Sequence, residues 1–244
     1  MKKVPIRLHT ANALRWLGSL YRNPADAIKE HVSNAVDEHV KAKSANTNVP
    51  VCQIVFTLEK NNVIIEYPYG MSQKEFENAL QRVADSEKKN LDYRQIGQLG
   101  IGMFSFLQFG RKCVFYSKKI QGEETVRVTF REGSDNAEFE TPTRKESLLK
   151  PGIKIIISDL ILDPLKSRGP LSPINLEKLF ADKFNAFIKD GSIEIIICCK
   201  GTRYKVKPLK IELPRIGVNY KDWPLKNNRN NKFSLELYYD LTEK

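Results

Sequence analysis

The alternation of apolar and polar positions lays out a series of elements along the chain. Residues 10–22 (TANALRWLGSLYR) put Leu14, Trp16, Leu17, Leu20 and Tyr21 mostly on one side at helical spacing. Asn23-Pro24 then reads as a stop and restart, since Asn23 can cap and Pro24 suits a first helical position. A second helix is expected from Pro24 to about Val40, dissolving into the polar stretch KAKSANTNVP. Two β-rich runs follow, VCQIVFTLE and NVIIEY, joined near Lys60-Asn61 as a hairpin. Ser72 with Glu75 three residues on forms a capping box and predicts a helix to about Asp85. The stretch SEKKNLDYRQIGQLG is polar, glycine-punctuated and without periodicity, and reads as a functional lid. Next come a short helix (IGMFSFLQF), four strands (RKCVFYSKK, ETVRVTFRE, NAEFET, GIKIIISDL), an amphipathic helix (LEKLFADKFNAFIK) and a strand (SIEIIIC). FSLELYYDL reads as a further strand, the first of a module that follows.

This order predicts an α+β fold, because strands and helices do not alternate as regular βαβ units. Of the 244 residues, 41% are hydrophobic and 28% charged, the balance of a soluble globular domain able to bury a sizeable core. No run approaches eighteen apolar residues, so no membrane span is expected. The start, MKKVPIRLHT, lacks the apolar stretch of a secretory signal. Cys52, Cys113, Cys198 and Cys199 form no CxxC pair, and with histidines only at 9, 31 and 39 they assemble no zinc site. They are read as reduced thiols of a cytoplasmic protein, or a nuclear one in a eukaryote. The net charge is +11, and residues 200–244 hold eleven basic against five acidic residues. That segment is either a footprint for nucleic acid or a solvated surface, and its aromatics are not clustered as a stacking platform.

Two motifs carry chemistry. In EHVSNAVDE (30–38), Glu30, Asn34 and Asp37 fall on one helical face, while Ile28, Val32, Ala35 and Val36 fall on the other. A carboxylate there can take a proton from water, and an amide oxygen can ligate Mg²⁺. An ordinary solvent face has the same pattern. In IGQLGIGMFS (96–105), Gly97, Gly100 and Gly102 open a helix, where close backbone approach and free N–H groups suit phosphate; a structural turn is the other reading. It is neither a Walker loop nor a dinucleotide fingerprint.

Taken together, E-x-x-x-N-A-x-D on an early helix, then a lid, then G-x-x-G-x-G opening another helix resembles the GHKL ATPase superfamily of gyrase, the ninety-kilodalton heat-shock chaperone, histidine kinases and MutL. The stretch IGQLGIGMFS is most similar to the chaperone and MORC-type members. The resemblance covers about residues 10–200. It implies the Bergerat fold, a two-layer α/β sandwich with a mixed, largely antiparallel sheet, in a domain spanning 1–200, with 201–244 a basic linker and the start of a transducer-like module. It implies ATP and Mg²⁺ as cofactors, ADP as product, and an ATP-dependent homodimer in a longer protein. By position, Glu30 matches the residue that activates water, Asn34 the magnesium ligand and Asp37 the acidic position one turn on. Leu99, Gly100, Ile101, Gly102 and Met103 match the phosphate-binding segment. Glu30 favours hydrolysis over phosphotransfer to a histidine. Two departures fall at the base pocket. EYPYGM (66–71) stands for D-N-G-x-G-M, so Glu66 is placed to accept from the adenine amino group, Pro68 replaces a glycine, and Gly70 and Met71 line the base. Ile153 replaces a threonine whose hydroxyl helps to bind adenine. The competing expectations are a nucleotide-sensing scaffold without turnover, and a nucleic-acid-binding protein with a regulatory ATP site.

Overall fold

In the computed structural model, Asn23 and Pro24 start the first described helix. The structure describes residues 23–46, 48–81, 102–119, 123–134 and 136–209, and the backbone of strands 220–225 and 228–235. The helix expected over 10–22, the lid, and Gly97, Leu99, Gly100 and Ile101 lie outside the described residues.

Helix α1 spans Pro24–Ala45, and the Asn23 side chain accepts from the Asp26 amide at 2.9 Å. It runs five residues past the expected end at Val40. The polar residues there are good helix formers, and Lys43 reaches Ser192 Oγ at 2.9 Å, an anchor invisible to local periodicity. Strands β1 (Cys52–Leu58) and β2 (Val63–Tyr67) form the expected hairpin. Helix α2 spans Gln73–Gln81 behind the Ser72–Glu75 capping box, in which Glu75 Oε2 accepts from the Ser72 amide at 2.8 Å. A 3₁₀ helix follows at Gly102–Gln108. Then come β3 (Lys112–Lys118), β4 (Val126–Arg131), β5 (Glu138–Glu140) and β6 (Gly152–Ser158). The single amphipathic helix expected over LEKLFADKFNAFIK is two: α3 (Pro173–Lys183) and α4 (Asn185–Lys189), parted at Phe184, whose φ of −118° leaves the helical region and seats its ring in the core. Strands β7 (Ile193–Cys199) and β8 (Thr202–Lys205) end this part of the chain.

All eight strands join one sheet in the order β5-β4-β3-β6-β2-β1-β7-β8, with β1–β7 parallel and the other pairings antiparallel. This is the mixed, largely antiparallel sheet of the expected α+β fold. Its inner face carries the helices. Phe180 of α3 stacks on Phe56 of β1 at 4.9 Å, Phe76 of α2 meets Phe115 of β3 edge-on at 5.7 Å, and Phe104 of the 3₁₀ helix meets Phe130 of β4 at 5.5 Å. The chain divides into two compact units, 1–208 and 209–244, so β8 extends the first unit past residue 200. In the second unit, β9 (Tyr220–Leu225) and β10 (Asn228–Leu235) pair antiparallel. No helix among the described residues is long and apolar enough to cross a membrane.

Candidate functional site

The site is built on α1. Its expected apolar residues, Ile28, Val32, Ala35 and Val36, are all buried, but burial extends around the helix to His31, Ser33, Asp37 and His39. A helix covered on most of its circumference is not presenting an ordinary solvent face. Glu30 and Asn34 remain half-buried, and Asp37, one turn on, is fully buried.

The start of the 3₁₀ helix sits directly against this row. A Cβ added at Gly102 would lie 3.2 Å from Asn34 Nδ2 and 3.6 Å from Glu30 Oε2. The fold thus brings together the carboxylate and amide of the first motif and a glycine of the second, across about seventy residues. His31, 1% exposed, helps to fix this contact, its Nε2 lying 3.3 Å from Ser105 Oγ of the 3₁₀ helix. Burial pulls the His31 pKa down to about 4, so the pair is neutral at physiological pH. Met103, beside Gly102, packs partly buried against the core.

The loop after β2 is held from several sides. Gly70 lies beneath β3 and β6, where a Cβ would stand 2.2 Å from the Lys118 carbonyl oxygen and 2.6 Å from that of Gly152. Only a glycine fits there. Ser117 Oγ accepts from the Met71 amide at 2.6 Å and donates to the Met71 carbonyl at 2.8 Å. Lys119 pairs with Glu75 of the capping box. On the helix side, His39 Nδ1 lies 2.6 Å from the Tyr69 hydroxyl. His39 is fully buried, and its pKa is lowered by that burial and by Lys43, against a smaller upward pull from Asp190.

Strand register separates the two residues singled out at the base pocket. Ile153 is 4% exposed on the inner face, in register with Tyr67 of β2 and Ser117 of β3. Glu66 lies on the other face. Its chain neighbour Ile65 pairs with Phe56, whose ring packs on α3, so Ile65 points inward and Glu66 outward. Glu66 belongs to an outer row that crosses six strands: Val55, Glu66, Lys154, Tyr116, Arg127 and Glu140. Arg127 joins that row together, with its guanidinium 5.9 Å from the Tyr116 ring centre and 2.8 Å from Glu140. The structure therefore sets Gly102, with Met103 beside it, against Glu30 and Asn34, and buries Asp37 one turn on in α1; separately, it tucks Gly70 under β3 and β6, holds Met71 on Ser117 in the row of Ile153, and turns Glu66 to the opposite face of the sheet. Ser117, Tyr67, Tyr69, His31 and His39 were not singled out by spacing, because each matters through a contact with a distant segment.

Asn34 and Glu30 offer hard oxygen donors, the kind Mg²⁺ takes. Among the described residues no group of three or more His, Cys, Asp or Glu could hold a metal. A family model described as histidine kinase-, DNA gyrase B- and HSP90-like ATPase matches residues 21–151, the span containing Glu30, Asn34, Gly70 and Gly102. A search of curated proteins returns no match.

Proposed function

The chain belongs to the histidine kinase-, DNA gyrase B- and HSP90-like ATPase family, whose domains bind ATP, and from that premise we propose that it hydrolyses ATP in a Mg²⁺-dependent reaction with Glu30 as general base. The observation that carries this reading is the close approach of Gly102 to both Glu30 and Asn34, with no more than a methyl group's width between them. A phosphate chain approaching the glycine segment would meet a carboxylate and an amide already fixed on one helix, so positioning is done before substrate arrives.

Glu30, half-buried beside Gly102, would orient the attacking water and accept its proton. Asn34 would hold Mg²⁺ through its amide oxygen. The bound ion would supply charge neutralisation at the β- and γ-phosphates. Met71, fixed at both backbone atoms by Ser117, would line the base, with Ile153 beside it. In this reading ATP binding drives pairing of two copies and a conformational cycle, the use to which related domains put the same pocket.

Two variants test the assignment. Glu30→Ala should lower turnover by roughly a hundredfold or more while ATP still binds, since a general base contributes ~10²–10⁴. Asn34→Ala should lose the Mg²⁺-dependent part of nucleotide affinity by calorimetry. Wild-type turnover in the first, or unchanged metal dependence in the second, removes that residue from the site.

A further inference from the structure

The outward placement of Glu66 leaves the base end of the pocket without the carboxylate that the sequence motif assigns to it. The inner-face residue at the end of β2 is Tyr67, and it stands in the row Tyr67–Ile153–Ser117 across three adjacent strands. Ser117 in that row clamps Met71, so the row borders the loop that would hold the base. Tyr69, two residues on, is the only other residue of the loop with a phenol. Its hydroxyl is bonded to His39, which leaves it a wall more than a reader. Tyr67 and Tyr69 both pack against the core, and the His39 contact places Tyr69 beside α1. His39, which meets Tyr69, stands nine residues along α1 from Glu30, about 13.5 Å at 1.5 Å per residue.

We propose that Tyr67 reads the nucleotide base in place of an acidic residue, and that the site takes purine nucleoside triphosphates with little preference between adenine and guanine. This rests on the nucleotide-binding reading given above. The two chemistries differ in one respect. A carboxylate only accepts hydrogen bonds, so it welcomes the adenine amino group and repels the guanine carbonyl. A phenol hydroxyl both donates and accepts, so it meets either edge by rotating one hydrogen. Burial raises the pKa of Tyr67 and keeps that hydrogen in place. Ile153 adds contact area without a polar group to enforce a choice. Glu66 meanwhile serves the outer charge row, beside Lys154.

Calorimetry with the non-hydrolysable analogues of ATP and GTP, in Mg²⁺, on the wild type, Glu66→Ala and Tyr67→Phe tests the proposal. The expected result is wild-type affinities within tenfold of each other and no change in either with Glu66→Ala. Tyr67→Phe should weaken both by roughly threefold to tenfold, the worth of one net hydrogen bond, without lowering the melting temperature of the ligand-free protein. A wild-type preference for the ATP analogue above about tenfold overturns the proposal, as does any loss of affinity in Glu66→Ala. A Tyr67→Phe variant that melts earlier yet binds normally overturns it too, since the hydroxyl is then structural. Binding of neither analogue by the wild type refutes the nucleotide-site reading itself, and this inference with it.

Discussion

Replacing Gly102 with alanine separates the cost of a methyl group to the fold from its cost to the chemistry. Gly102 does not have the left-handed backbone seen at Gly133, Gly152, Gly191 and Gly201, so alanine is conformationally acceptable there. In open space the change would stabilise by about 0.4–1 kcal/mol through the unfolded chain. The added carbon would stand 3.2 Å from Asn34 Nδ2, against the 3.4–4 Å of ordinary contact, and 3.6 Å from Glu30 Oε2. The amide must therefore retreat by a few tenths of an ångström, a crowding of about 1 kcal/mol that offsets the gain. Net stability should change by less than about 1 kcal/mol, or under about 4 °C in Tm for a chain of this size. Catalysis is less forgiving, because misplacement by about 1 Å costs roughly a hundredfold. A shift of a few tenths predicts a loss of about tenfold in kcat. Steady-state phosphate release and a thermal melt on the same preparation provide both numbers. In an Asn34→Ala background the added methyl should cost little more, because the atom it displaces is gone. Wild-type kcat in Gly102→Ala would refute the argument that this glycine exists to admit Asn34 and Glu30.

Gly70→Ala should behave in the opposite way. Its new carbon would meet two backbone carbonyls at 2.2 and 2.6 Å, which cannot move aside, so a stability loss of about 3 kcal/mol is expected in urea unfolding; an unshifted midpoint would disprove the packing of this loop under β3 and β6. Stability should also fall on acidification. His31 has a folded pKa of about 4 against an ordinary 6.5, so between those values the unfolded chain binds more protons. The contribution is complete above pH 6.5 and is lost as pH falls toward 4. The loss amounts to about 2 kcal/mol by pH 5, and His39, shifted the same way, adds to it. Urea unfolding at pH 7 and pH 5 measures the difference, which His31→Gln should reduce; equal stability at the two pH values would mean that His31 is not held neutral in the fold.

Elements with strong local signals were legible in the sequence. Asn23-Pro24 announced the start of α1, the Ser72–Glu75 box opened α2, and the β-branched runs of β1, β2, β3, β6 and β7 were found at nearly their observed bounds. The alignment of Glu30 and Asn34 along α1 was legible from helical spacing, and the fold sets them against Gly102. The facing of β2 was not. In NVIIEY both Ile64 and Ile65 are apolar, so hydrophobicity leaves the strand parity open, and counting back from Gly70-Met71 selected Glu66. Parity is decided by Phe56, opposite Ile65, and by the packing of that ring on Phe180, more than a hundred residues away. The same limit hid Ser117, which acts on Met71 across 46 residues, and His31, which acts on Ser105 across 74. The extension of α1 past Val40 depended on Lys43 reaching Ser192.

The one parallel pairing in the sheet sets an order for the making of this protein. Strand β1 takes its place beside β7, so residues 52–58 wait for residues 193–199 to leave the ribosome. Until then β1 has an open edge, and Phe56 lacks the cover that Phe180 of α3 provides. Lys43 likewise has no Ser192 to hold the last turn of α1. Helix α1 is made early, but the scaffold that fixes its active face is completed only after most of the chain has been synthesised. Such a nascent chain carries an apolar strand paired on one edge only for most of its translation, the condition in which a folding chain most needs shielding from its neighbours. A stalled or truncated product that stops short of β7 should therefore lose the whole site, and should enter the aggregated fraction rather than persist as a smaller working domain.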